Sequence, residues 1–337
     1  MSTGLVLGKF APLHRGHCHV LDSAKARTDS LVVVIYDSPE VTDVPLRVRA
    51  DWIRKLYPDA EVLEAWGGPS EVGLTTDLKA QHEDFLLEIL RDRKITHFFS
   101  SEEYGEHVAA RLGAEDIRVD MARMTHPISA TAIRQNLFDN RAFLPEIVYR
   151  DLIRKVVFLG APSSGKSTIA ELAASDFGTN FMPEYGRTYW EENQIDRRLT
   201  PEELVSIAVG HREREDQLVL NSKDVLFIDT DATTTKIFGE YYHQDALPEL
   251  KRLASESADR YDITFLCLPD IPYEDTADRS GETNRAEFHS RVLDALRAAR
   301  RPFIPLGGSL ETRLATVRRV LKNHSSYQNP FEWSQHA

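Results

Sequence analysis

Two glycine-containing loops, each set between a short apolar run and a helix-like stretch, constrain this chain more than any other feature. Gly8-Lys9-Phe10-Ala11-Pro12-Leu13-His14-Arg15-Gly16-His17 follows the apolar run Leu5–Leu7. Gly160-Ala161-Pro162-Ser163-Ser164-Gly165-Lys166-Ser167 follows Lys155–Leu159. A strand that turns through glycine into a helix aims free backbone N–H groups outward at the helix N-terminus, where anions bind. The sequence therefore predicts two phosphate sites, one opening each half.

The rest of the pattern agrees with two α/β domains. Strand-like runs at Leu31–Tyr36, Glu61–Ala65, Thr96–Phe99 and Ile117–Val119 alternate with helix-like segments at Gly16–Ala26, Pro45–Leu56, Asp77–Arg91 and Glu103–Leu112. Pro45 is expected in the first helical turn, where its missing N–H costs nothing. Phe138–Arg150 interrupts the alternation with Pro145 and reads as a connector. A second series follows, with strands at Val225–Ile228 and Ile263–Leu268 and helices from Lys166, at Pro201–Leu220, Arg285–Arg300 and Leu310–Leu321. Repeated βα units imply parallel sheets with ligands at the carboxyl ends of the strands. The expected domains are residues 1–149 and 150–337, and 337 residues suffice for two separate cores.

No apolar run approaches the roughly 20 residues of a membrane helix, and the N-terminus lacks a signal-peptide layout. Cys18 and Cys267 lie far apart and form no framework, so a reducing cytoplasm is expected. The net charge of −12 argues against broad nucleic-acid binding. It also means that cations serving phosphate must be concentrated inside the motifs.

Gly160 to Ser167 satisfies G-x-x-x-x-G-K-[ST], with Thr168 next. In such a loop Gly160, Ser163, Ser164 and Gly165 wrap the phosphates, Lys166 reaches the β- and γ-phosphates, and the Ser167 hydroxyl ligates Mg²⁺. Phe227-Ile228-Asp229-Thr230-Asp231 ends a strand in acids, and Asp229 is the candidate to organise the metal. In Pro183-Glu184-Tyr185-Gly186-Arg187, Glu184 is placed either to accept a hydroxyl proton or to grip a ribose diol, and Arg187 to pair with phosphate or with Glu184; a solvated turn is the plainer reading. Arg279 and Arg285 are candidates to close over ATP.

In the first half, His14 and His17 are three apart at a strand–helix junction, suited to donate hydrogen bonds to phosphate oxygens as charge builds there. A metal site with His19 or Cys18 is the rival, without a second set of ligands at fixed spacing. Ile128-Ser129-Ala130-Thr131-Ala132-Ile133-Arg134 provides Ser129 as an N-cap, with Thr131 and Arg134 on one helix face.

These paired elements resemble those of the HxGH nucleotidyltransferase superfamily. With GAPSSGKST, PEYGR and FIDTD in that order, nearly the full chain resembles the bifunctional nicotinamide-nucleotide adenylyltransferase/ribosylnicotinamide kinase family of NadR type. The resemblance implies an α/β fold in two domains, a Rossmann-like nucleotidyltransferase sheet followed by a P-loop kinase sheet. ATP is the implied co-substrate of both, with Mg²⁺ as cofactor. Ribosylnicotinamide, nicotinamide mononucleotide (NMN) and NAD are the implied ligands. His14, His17, Ser129, Thr131 and Arg134 would serve adenylyl transfer, with Gly8, Lys9 and Phe10 in the ATP loop. Lys166, Ser167 and Asp229 would serve the kinase, Glu184 or Asp231 would engage the riboside, and Arg279 would belong to the lid.

The sequence departs from the family at three places. The catalytic strand begins at Gly4 or Leu5, leaving no room for the N-terminal helix-turn-helix of some members, so no specific DNA binding is expected. The Arg47-Val48-Arg49 pair is followed by Ala50 instead of an aromatic residue, leaving Arg47 and Trp52 as substrate candidates and Trp52 equally a core residue. Asp275-Thr276-Ala277-Asp278 replaces an aspartate-glycine pair at the lid. A fused enzyme of coenzyme A or flavin synthesis and a non-catalytic NAD/ATP sensor remain as alternatives, and association into homo-oligomers is left open.

Overall fold

A computed structural model describes residues 1–69, 76–102, 105–193, 198–271 and 282–327. The chain forms two compact units, with the change from one to the next falling between Tyr149 and Arg150.

The first unit runs β1 (Thr3–Gly8), α1 (Arg15–Arg27), β2 (Ser30–Tyr36), α2 (Leu46–Leu56), β3 (Glu61–Ala65), α3 (Thr76–Leu90), β4 (His97–Ser100), α4 (Gly105–Leu112), β5 (Glu115–Arg118) and α5 (Ala130–Gln135). Its strands lie in the order β3-β2-β1-β4-β5, all parallel. The chain works outward from β1 to one edge, then returns to build the other. Strand order thus reverses beside β1, and the crevice over its carboxyl end receives the loop Lys9–His14. Leu5, Val32, Val34 and Phe98 pack with Leu86 and Leu90 beneath the sheet.

The connector is more ordered than its mixed polarity suggests. Residues Arg141–Phe143 form a 3-10 turn, and α6 (Glu146–Leu152) follows directly after Pro145. Pro145 starts the helix instead of interrupting a strand, as its fixed φ allows. Pro45 stands one place outside α2, at the N-cap with extended ψ 147.

The second unit runs β6 (Arg154–Gly160), α7 (Lys166–Phe177), β7 (Phe181–Met182), α8 (Tyr185–Glu192), α9 (Pro201–Leu218), β8 (Val225–Asp229), α10 (Ala232–His243), α11 (Pro248–Arg260), β9 (Ile263–Cys267), α12 (Glu282–Ala298), β10 (Ile304–Leu306) and α13 (Leu310–Asn323). Its parallel order is β10-β9-β6-β8-β7, so the reversal falls at β6. The near-continuous apolar runs of β6, β8 and β9 are what a strand covered on both faces requires. Phe158 stacks on Phe265 at 5.4 Å and meets Phe227 at 6.1 Å across the three central strands. Each such ring contributes about 1.5–3 kcal/mol by leaving water. Among the described residues no helix is long and apolar enough to cross a membrane.

Candidate active sites

In the first unit the loop after β1 is built from beneath. Gly8 admits the Phe10 ring, whose atoms would lie 2.9 Å from any Cβ at position 8. Phe10 itself adopts φ 45 and is buried, its ring edge against His17 at 5.0 Å. Its side chain therefore supports the loop from beneath, leaving only its backbone to face a nucleotide. Lys9 pairs with Glu40 at 2.7 Å. Arg49 lies under the same loop, 1% exposed, and donates to the carbonyls of Lys9, Val44 and Tyr36 beside Asp37. Burial pushes its guanidinium down to about 10, against the opposing charges of Asp37 and Glu40.

His14 is the N-cap of α1 and does more than cap it. Its Nδ1 accepts from the N–H of Gly16 at 3.1 Å and of His17 at 3.4 Å, while His17 Nδ1 accepts from the His14 N–H at 3.4 Å. This is a capping box made of two imidazoles. An Nδ1 that accepts carries no proton, so the neutral rings hold their hydrogen on Nε2. The rings stack at 3.7 Å, 21° apart, so two like donors run side by side.

Their protonation is biased the same way. Burial, then the charges of Arg123 and His126, push His14 down to about 4. His17 is lowered well below its ordinary value by burial, then by His14 and Arg123. Both are neutral Nε2–H donors at pH 7, not the cations that the three-residue spacing alone allows. The metal alternative loses its basis here, because each Nδ1 already serves the backbone.

The second motif reaches the same loop. Ser129 caps α5 by accepting from the Ala132 N–H at 3.1 Å. Arg134 donates to the Ala11 carbonyl and, at 3.1 Å, to Thr131 Oγ1. The two motifs, 123 residues apart, are thereby tied together. Arg47 is exposed on α2, whereas Trp52 is 0% exposed. With no exposed face, Trp52 is a core side chain and is withdrawn as a nicotinamide-stacking residue.

In the second unit the phosphate loop joins β6 to α7. Gly165 is the N-cap of α7 at φ 80, and Ser163 also takes a positive φ of 55. A Cβ at Gly160 would come within 2.7 Å of the Cys267 carbonyl and 2.8 Å of Ser164 Oγ, so the loop closes only with glycine there. Lys166 Nζ folds back to the Ala161 carbonyl at 2.9 Å. Thr168 continues the helix.

Ser167 Oγ donates to Asp229 Oδ2 at 2.5 Å, while Asp229 Oδ1 is buried with no hydrogen-bond partner among the described residues. Burial and then the neighbouring Glu184 charge push the Asp229 carboxyl up to about 6, opposed by Lys166 and Ser167. A buried carboxylate with one idle oxygen beside a serine hydroxyl is the donor set that a hard divalent cation uses. The residues fit Mg²⁺.

Glu184 caps α8 without a side-chain capping bond and lines a cavity of about 920 Å³ that also takes in the phosphate loop. PEYGR is thus the start of a helix, not a solvated turn. Arg187 is exposed on that helix and lines the cavity. Asp231 fares differently from expectation. One oxygen accepts from the Thr233 N–H at 2.8 Å and the other pairs with buried Arg301 at 2.6 Å. Both oxygens are thus engaged within the protein, while Asp231 also lines the cavity. Arg279 lies outside the described residues. Arg285 does not reach over the cavity as a lid residue; it is buried and donates to the Ser163 carbonyl at 2.9 Å.

Sequence reasoning missed the aromatic wall of this cavity. Phe238 and Tyr242 stack with planes 7° apart on α10, Arg198 lies 4.5 Å above the Tyr242 ring, and Trp190 lines the same space. The i, i+4 aromatic spacing in FGEYYH was the available signal.

A cytidylyltransferase-like family model matches residues 5–136, and an AAA domain model matches residues 155–313. The trifunctional NAD biosynthesis/regulator protein NadR of Salmonella typhimurium is 29% identical over 329 residues, covering 87% of this chain and 76% of that protein. Its Escherichia coli counterpart is 27% identical over 335 residues, with the same coverage. A crystal structure of a NadR protein in complex with NR superposes with a TM-score of 0.58 at 20% identity, covering 94% of this chain and 95% of that one. Another, with NAD and AMP-PNP, gives 0.57 at 20% identity, covering 97% and 98%. The two parallel-sheet folds are those of the NadR structures.

Proposed function

We propose, on the premise that this chain is a NadR homologue, that it makes NAD from ribosylnicotinamide in two ATP-dependent steps. The observation that carries the reading is the coexistence of two unlike phosphate sites in one chain. One is a neutral Nε2–H histidine pair tied to Arg134, and the other a P-loop lysine beside the Ser167–Asp229 pair.

In the second unit the 5′-hydroxyl of the riboside attacks the γ-phosphate of ATP, giving NMN and ADP. Lys166 turns from the Ala161 carbonyl to the transferring phosphoryl group, where charge accumulates. Glu184 is the carboxylate we assign to the attacking hydroxyl, since its side chain makes no capping bond and lines the cavity, whereas Asp231 pairs with Arg301 and Asp229 is assigned to the metal. Mg²⁺, held by Ser167 and Asp229, would neutralise phosphate charge when bound. The Phe238–Tyr242 wall suits a flat aromatic ring such as nicotinamide.

In the first unit the NMN phosphate attacks the α-phosphate of ATP, releasing pyrophosphate and leaving NAD. No covalent enzyme intermediate is required, so the site acts by position and charge. The two Nε2–H groups and the Thr131–Arg134 face donate to phosphate oxygens as negative charge redistributes. Incubation with ATP, Mg²⁺ and separate precursors tests the substrate. Ribosylnicotinamide is consumed, whereas precursors of coenzyme A or flavin cofactors are not; the reverse outcome rejects the assignment.

The Asp229 environment gives a further expected outcome. Its carboxyl is raised from 3.8 to about 6, so ionisation costs stability: the cost is absent below about pH 3.8 and complete above about pH 6. Asp229→Asn therefore raises the melting temperature of the metal-free second unit at pH 7.5 by several degrees, a gain that vanishes near pH 4. Riboside phosphorylation falls at least about 100-fold in the same protein. Calorimetric melting at the two pH values, with the kinase assay, checks both halves.

A further inference from the structure

Two arginines approach the phosphate loop from the protein side. Arg313 on α13 is 2% exposed and donates to the Ser164 carbonyl at 2.7 Å. Arg285 on α12 is 6% exposed and donates to the carbonyls of Ser163 at 2.9 Å and Ile271 at 2.8 Å. Two consecutive loop carbonyls are thus each held by a guanidinium from a different helix.

The C=O and N–H of one planar trans peptide point in opposite directions. Turning the Ser164 carbonyl toward Arg313 therefore turns the Gly165 N–H the other way. The Ser164 N–H meanwhile closes the loop on the Ala161 carbonyl at 3.3 Å. Ser163 stands at φ 55, which a residue with a Cβ adopts only when its surroundings enforce it. The Arg285 bond to its carbonyl supplies part of that enforcement.

The two charges differ. Arg313 pairs with Asp270, which also accepts from the Gly308 N–H at 2.6 Å. Arg285 has no carboxylate within ion-pair distance among the described residues, and its Nε is buried without a partner. A buried cation without a counter-charge is costly unless an anion approaches.

We propose that Arg285 and Arg313 are positioning residues for the nucleotide phosphates: both hold the loop backbone in its anion-binding shape, and Arg285 adds a buried charge that the β-phosphate helps to neutralise. This rests on the reading of the loop as an ATP cradle. Binding of Mg·ADP and of AMP to the full chain, followed by calorimetry, tests it. Arg285→Met weakens ADP binding at least tenfold while AMP binding stays within twofold, because AMP has no β-phosphate. Arg285→Lys and Arg313→Lys, each keeping charge but losing the planar fork, weaken ADP binding about threefold or more. Should Arg285→Met fail to fold, the two lysine variants carry the test. ADP binding equal to that of the wild type, or parallel weakening of ADP and AMP, overturns the proposal. If wild type binds ADP but does not phosphorylate the riboside, the functional reading fails while the positioning role stands; if it binds no ADP, both fail.

Discussion

Lys166→Ala abolishes riboside phosphorylation, by on the order of 1,000-fold in kcat, and leaves NAD formation from NMN within about twofold. The large loss follows from the role of the ammonium, the mobile cation of the phosphate loop, which meets charge on the phosphoryl group as it transfers. Nothing else in the described loop can take its place: Arg285 and Arg313 are fixed to backbone carbonyls on the other side. Among the described residues its only hydrogen bond is to the Ala161 carbonyl, so its removal costs little stability. Initial rates of the two half-reactions on one preparation check the result. Equal loss of both activities with an unchanged melting temperature would contradict two separate sites.

His17→Ala gives the converse pattern. Adenylyl transfer falls about 100- to 1,000-fold, the usual cost of removing one donor aimed at developing phosphate charge. The riboside kinase stays intact and serves as an internal control for folding. Some loss of stability is expected in the first unit, about 1 kcal/mol, because His17 Nδ1 is half of the capping box at α1. A variant with normal NAD formation would remove the histidine pair from the mechanism. Loss of the kinase as well would place the fault in the whole fold.

The first sheet and the strands β6, β8 and β9 of the second were legible in the sequence because their signals are local, whereas the short edge strands β7 and β10 were not. An apolar run, a glycine turn and a capped helix occupy about twenty consecutive residues at Leu5–Ala26 and again at Lys155–Phe177, and local spacing decides such units. The motif loops and Asp229 lie where that reading put them, at the carboxyl ends of β1, β6 and β8. Helices α8, α10 and α11 were missed: the first opens with Glu184-Tyr185-Gly186, where glycine lowers helix propensity, and packing against α9 overrides that preference.

The supporting cations were illegible for a different reason. Arg49, Arg301 and Arg313 look like surface residues in a sequence, since arginine is mostly exposed. Their partners lie 40, 70 and 149 residues away, at Lys9, Asp231 and Ser164. Only the fold reveals that Asp231 is engaged and that Glu184 is not capping. Trp52 shows the same limit from the other side: its helix was expected, but substrate and core roles stood equal until the fold placed the side chain in the core.

The central claim is that one chain uses ATP at the γ-phosphate in one unit and at the α-phosphate in the other, in sequence. Phosphorus tracing tests it most directly. Wild-type protein is given ribosylnicotinamide and Mg²⁺ with ATP labelled at the γ- or the α-position, and the NAD formed is isolated. The account predicts that γ-label appears in the phosphate on the nicotinamide side of NAD and α-label in the phosphate on the adenosine side. NAD that carries neither label, or riboside consumed with no γ-label in any mononucleotide, would contradict it.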